Sequence, residues 1–124
     1  MKKLTVLATL IMTISIAGTA LAHGDRAEFE GIVQSVDGLQ FELVKKNKAA
    51  IIFIQNHGKK FSTVGAKGTL TVINGAKKAE VALQPSGDNS METNGEVKLI
   101  PGAKAIAAIT FADNKTVKVD FLVK

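Results

Sequence analysis

The stretch Gly38-Leu39-Gln40-Phe41-Glu42-Leu43-Val44-Lys45-Lys46-Asn47-Lys48-Ala49-Ala50-Ile51-Ile52-Phe53-Ile54-Gln55-Asn56-His57-Gly58 reads as a hairpin, and the rest of the chain is placed against it. Leu39, Phe41 and Leu43 alternate with Gln40 and Glu42, the period-two pattern of a strand buried on one face. Ala49 to Ile54 then runs apolar without a break. That run is too short for a typical helix and rich in β-branched side chains, so it is expected as a central strand covered on both faces. Lys45 to Lys48 is read as the polar turn between the two strands, and Asn56-His57-Gly58 as the turn that ends the second.

The chain has 124 residues, enough for one domain, but its first segment is expected to lie outside that domain. Lys2 and Lys3 precede an apolar run from Leu4 to Ile16, Gly18 breaks it, and Ala20-Leu21-Ala22 has the small-x-small form of a secretory cleavage site. An uncleaved anchor is the rival reading, because Leu4 to Ala22 carries no charge over 19 residues, close to the ~20 that span a bilayer. Thr5, Thr9, Thr13 and Ser15 dilute that hydrophobicity, and the small residues stand where a signal peptidase requires them. The expectation is a signal peptide over residues 1–22 and a single periplasmic domain over 23–124, with no membrane span after processing. No Cys follows the apolar run, so a lipoprotein is excluded.

Cleavage after Ala22 removes two lysines and no acid, so the formal charge falls from +5 to +3. The remaining excess of lysine is concentrated at expected turns: Lys45, Lys46, Lys48, Lys59, Lys60, Lys77 and Lys78. With no Trp or Tyr to stack bases and an exported address, nucleic acid is not an expected partner. Lysines that keep sheet edges from pairing with other chains are the better explanation. The absence of Cys removes disulfides, thiolate ligands and thiol nucleophiles together.

Taken in order, the chain offers a first strand over Phe29 to Val36 with Asp37-Gly38 as its turn, then the quoted hairpin. A short irregular strand around Phe61 and Val64 follows. Leu70 and Val72 lead to Asn74-Gly75, a tight-hairpin signal, and Ala79, Val81 and Leu83 return. Gln84 to Ser90 reads as the longest loop. Met91 to Thr93 and Glu96 to Leu99 are expected to flank a second Asn-Gly turn at Asn94-Gly95. Ile106 to Phe111 and Val117 to Val123 close the chain as a last hairpin around Asp113-Asn114-Lys115. No helical period persists after Ala22. About seven or eight short strands at roughly 8–12-residue spacing predict an all-β domain, an immunoglobulin-like β-sandwich. A small barrel is the alternative. The six Phe are spread over the strands, as a core shared by two sheets requires.

Chemistry is sparse. No Gly-x-Ser-x-Gly elbow or phosphate-binding glycine loop is present, and the carboxylates Glu30, Glu42, Glu80 and Asp120 are placed facing outward from strands. An enzyme is not expected, and no catalytic residue is assigned. One constellation remains. Cleavage after Ala22 makes His23 the N-terminal residue, whose amine and imidazole close a chelate ring on one ion, with Asp25 beside them. Nitrogen donors of this kind suit Cu(II), which heads the divalent affinity order. His57, in the turn after the central strand, is a candidate further nitrogen, and Met91 a candidate thioether for Cu(I), although Met more often fills a core. The competing reading makes both His incidental and the domain an interaction module. Lysine-tipped loops would then meet an acidic protein partner or another component of the envelope.

His23-Gly24-Asp25 after the signal, Gly31-Ile32-Val33-Gln34, Phe41-Glu42-Leu43-Val44, Asn56-His57-Gly58-Lys59-Lys60, Leu83-Gln84-Pro85 and Gly102-Ala103-Lys104-Ala105 resemble a group of small exported proteobacterial proteins. Those are described as hypothetical periplasmic proteins, some encoded near heavy-metal efflux genes. The resemblance spans nearly all of the mature chain and implies a periplasmic β-sandwich; it also favours the metal reading. A more distant likeness is to CopC-type periplasmic copper-resistance proteins, small β-sandwiches whose mature chains begin with His. This sequence has no Asp-x-His pair near its C-terminal end and no Met-rich segment, so that likeness carries over His23 alone.

Overall fold

The computed structural model describes residues 27–124, and the expected signal peptide, its cleavage site, His23 and Asp25 lie outside the described residues. The described chain is all-β and contains no helix. Its strands are β1 (Ile32–Val36), β2 (Leu39–Lys46), β3 (Ala49–Asn56), β4 (Lys59–Lys60), β5 (Lys67–Asn74), β6 (Lys77–Pro85), β7 (Ser90–Thr93), β8 (Lys104–Thr110) and β9 (Thr116–Leu122). All pair antiparallel in one sheet of order β1-β2-β3-β7-β6-β5-β8-β9, with β4 added to β3. The two ends of that order, β1 and β9, lie side by side, so the sheet curls into a nearly closed barrel.

The expected division into two facing sheets is therefore not what the ladders draw. β3 pairs with both β2 and β7, and β7 passes the ladder on to β6, so no break separates a front sheet from a back one. Alternation in the sequence shows which side chains of a strand face inward. It does not show which strands are neighbours, and the neighbour relation separates barrel from sandwich. Closure also leaves few free edges, a benefit for an antiparallel sheet in water.

The interior is built from the inward parity of each strand. Phe41, Ile52, Ile54, Leu70, Met91, Ile109, Val119 and Phe121 are buried there, with Ala50, Ala105 and Ala107 as small partners between them. Met91 thus belongs to the core, away from any surface ligand set. The expected central strand holds, since β3 has partners on both edges, but its two faces differ. Ala50, Ile52 and Ile54 are fully buried, whereas Ile51 and Phe53 are half-buried on the outer face.

Several boundaries move for local reasons. Lys45 and Lys46 remain in β2, and Asn47 alone supplies the positive φ, 53°, for a two-residue loop. Asn74 pairs with Lys77 as the last residue of β5, so the hairpin loop is Gly75-Ala76, with Gly75 at φ 62° in the first position, where a type II′ turn requires Gly. The first strand starts at Ile32 rather than Phe29, because Glu30 turns the chain at φ 59°. The expected strand at Glu96 to Leu99 does not form. Thr93 ends β7 by accepting from the Ala50 amide and donating to the Gly95 carbonyl. The chain then leaves the ladder and crosses to the β2–β3 turn, where the Val97 amide donates to the Lys48 carbonyl at 2.8 Å.

Antiparallel pairing sorts the connections onto two ends of the barrel. The turns at Asp37-Gly38, His57-Gly58 and Asp113–Lys115 share one end. Asn47-Lys48, Gly75-Ala76 and the segment 94–102 share the other.

Candidate functional site

His57 is exposed at the Asp37 end of the barrel. It joins β3 to β4 in a two-residue loop in which His57 has φ 53° and Gly58 φ 82°, the left-handed pair of a type I′ turn. His is among the residues that tolerate this region better than most. The backbone requirement alone accounts for a short polar residue here. His57→Asn is accordingly expected to leave stability within ~0.5 kcal/mol, while His57→Val, a β-branched residue forced to positive φ, costs about 1–2 kcal/mol. Chemical denaturation of the two variants measures the difference.

Among the described residues, no three of His, Cys, Asp and Glu are grouped to hold a metal ion. The cavity at this end, about 720 Å³, is lined by Asp37, Asp113 and Lys115 together with Leu39, Phe61 and Phe111, and His57 is not part of it. Of the expected metal ligands His23, Asp25 and His57, only His57 falls among the described residues, and it belongs to no group of three candidate ligands there.

A site that the sequence did not announce lies on the outer face of β2 and β3. Glu42 is expected to face solvent, and by strand parity it does point outward, yet it is only 2% exposed. The segment before β1 folds back over it. Glu42 Oε1 accepts from the Glu28 amide, and Oε2 accepts from the amides of Phe29 and Gly31, each at 2.8 Å. Successive N–H groups turned toward one carboxylate form an anion-binding concavity. The positive φ of Glu30 lets the chain wrap around the charge. A Cβ on Gly31 would lie 2.3 Å from the Leu43 carbonyl oxygen, so only Gly fits beneath the wrap. Phe29 completes the attachment by stacking on Phe53, the cross-strand partner of Glu42, with ring centroids 4.1 Å apart. The sequence signals were Gly31 beside Glu30 and an acid flanked by Phe41 and Leu43. They point to Glu42 only once the strap is known to return.

The opposite end carries a different site. Its cavity, about 790 Å³, lies between the β5–β6 hairpin and the crossing segment 96–98. Val72, Ala79 and Val97 form an apolar floor, Lys77, Lys78 and Lys98 surround it with Glu96, and Asn74 lies at its edge. The Asn74 Oδ1 atom is buried and has no hydrogen-bond partner.

Comparison with family models, with curated proteins and with solved structures finds no match for this chain.

Proposed function

We propose that the chain is exported, loses residues 1–22, and serves in the periplasm as a non-enzymatic binding domain that takes Cu(II) on its new N-terminus. The finer architecture this reading carries, one folded domain over 23–124 related to periplasmic β-sandwiches, rests on the resemblance of the sequence. The non-enzymatic part rests on the missing nucleophile and phosphate motifs. The observation that supports a terminal ligand set is the strap: residues 28–31 are fixed to Glu42, only a few residues after His23. The chelate of the His23 amine and ring, helped by Asp25, would then precede by a few residues the point at which the chain is fixed to the barrel. The amine and ring of His23 are the two donors the reading needs, and His57 remains a candidate further nitrogen.

Cu(II) titration followed by visible absorption and electron paramagnetic resonance tests the reading. Protein beginning at His23 is expected to bind at micromolar concentration. One Gly added before His23 should weaken binding nearly as much as His23→Ala, because the free amine is half of the chelate. His57→Ala should have a smaller effect, or none. Equal binding by the processed and extended forms, or no binding by either, removes copper.

The second reading, an interaction module of the envelope, is favoured by Phe29. It is 46% exposed while stacked on Phe53, which leaves an aromatic surface on the strap.

A further inference from the structure

The cavity between the β5–β6 hairpin and residues 96–98 has a structural origin. β7 pairs with β6 only from Leu83 to Pro85, and the Asn94 amide donates to the Ala82 carbonyl just beyond. Past that point the chain departs toward Lys48, so β6 runs on from Val81 to Lys77 with no strand laddered on that side. The barrel wall is open there. Its consequence is visible in Ala79, which has inward parity beside Val72 and is nonetheless exposed.

Three properties of this opening converge. Its floor is apolar, from Val72, Ala79 and Val97. Its rim is cationic: Lys77, Lys78 and Lys98 face one acid, Glu96, and Lys104 lies on the same end opposite Ile73. At its edge sits an acceptor, Asn74 Oδ1, with no partner. A buried acceptor left unpaired costs about 1–3 kcal/mol, and native folds carry few of them. The amide torsion of Asn is soft, so a small rotation turns Oδ1 toward the cavity.

From these we infer that the opening is a binding site for a small amphiphilic anion bearing a hydroxyl near its charged head, such as a medium-chain hydroxycarboxylate. The acyl chain lies on the Val72–Ala79–Val97 floor, the lysine ammonium groups surround the carboxylate, and the hydroxyl donates to Asn74 Oδ1. A volume of about 790 Å³ falls within the range of small-molecule sites, and mouths of β-barrels are common places for them. An extended peptide adding to the open edge of β6 is the competing occupant. Lys77 and Lys78 stand on that edge, as lysines do where strand addition is opposed. The unpaired acceptor is a side-chain atom of a residue that lines the cavity, not a backbone group of the edge. Both features favour the small anion. This inference is independent of copper, since the site lies on the opposite end from His57 and uses none of its candidate ligands.

The test is a titration of 15N-labelled protein with 3-hydroxyoctanoate, octanoate and methyl 3-hydroxyoctanoate, read by amide chemical shifts. 3-Hydroxyoctanoate is expected to move the amides of 72–79 and 96–98 and leave those of the Asp37 end in place. Octanoate lacks the hydroxyl and leaves Asn74 unpaired; the ester lacks the charge. Each should bind about tenfold more weakly or worse. Asn74→Ala should keep the fold and remove the preference for the hydroxylated ligand. Lys78→Glu with Lys98→Glu should weaken both acids and leave the ester unaffected. The inference is overturned if no amide of 72–79 or 96–98 moves at millimolar ligand. It is equally overturned if Asn74→Ala retains the hydroxyl preference, or if an acidic peptide shifts the β6 edge while the hydroxyacid does not.

Discussion

Ile52→Asp is expected to leave no folded barrel, while Phe53→Asp one residue later leaves a folded and weakened one. The two positions read alike in the apolar run from Ala49 to Ile54. They face opposite sides of the wall. Ile52 is fully buried on the inner face, opposite Leu43 and Met91 on its two neighbouring strands. A carboxylate there has no cation within the core and no route to water. Burying an unpaired charge costs several kcal/mol even after relaxation, against the ~5–15 kcal/mol that holds a small domain together. The aspartate would also remove one of the large side chains of the interior, adding a cavity of the kind that costs 2–5 kcal/mol, roughly, for an Ile truncation. Phe53 is half-buried on the outer face, under the Phe29 ring. An aspartate there reaches solvent, and the loss is the stacked pair and its buried area, about 1–3 kcal/mol. Circular dichroism and urea denaturation of the two variants decide it. A folded Ile52→Asp, or equal collapse of both, contradicts the inward and outward assignment of β3.

The contrast marks how far the sequence could be read. Alternation at Leu39, Phe41 and Leu43 and at Val117, Val119 and Phe121 assigns inner faces correctly, because a period of two has only two phases. The turns at Asp37-Gly38 and His57-Gly58 were legible because few residues other than Gly, Asn, Asp and His enter positive φ. The Asn-Gly pairs were less exact guides. Asn74-Gly75 marked a hairpin but placed its turn one residue early, and Asn94-Gly95 marked the end of a strand with no partner to follow. Glu96 to Leu99 has the composition of a strand, and its Val97 and Leu99 are buried. What diverts it is a tertiary hydrogen bond to Lys48, which no local pattern encodes. The same limit hid both sites. The cavity arises because that segment departs from β6, and the Glu42 anchor arises because residues from before the first strand return over the second.

The Glu42 anchor makes the second large prediction: Glu42→Ala should release the strap and lower stability by about 2–4 kcal/mol. Three backbone amides converge on this carboxylate, and hydrogen bonds to a charged acceptor contribute roughly 1.5–3 kcal/mol each when both partners are shielded. The sum is not reached, because a freed strap turns its amides to water instead of leaving them buried. Detachment recovers part of the loss and exposes Phe53 in exchange. Glu42→Gln separates charge from shape. It keeps the volume and one carbonyl oxygen, yet offers an NH2 group where two oxygens had accepted from Glu28, Phe29 and Gly31. It should therefore fall close to Glu42→Ala in stability. Gly31→Ala attacks the same attachment from the backbone side, through the clash with the Leu43 carbonyl. Hydrogen exchange gives the local readout: the amides of 28, 29 and 31 should lose protection in every one of these variants, while those of β5 and β8 keep theirs. A Phe29–Phe53 ring contact retained in Glu42→Ala, read by side-chain nuclear Overhauser effects, would mean that the stack alone holds the strap. Were the anchor instead the main attachment, Phe29→Ala would cost less than Glu42→Ala, since the three amides would still find their carboxylate.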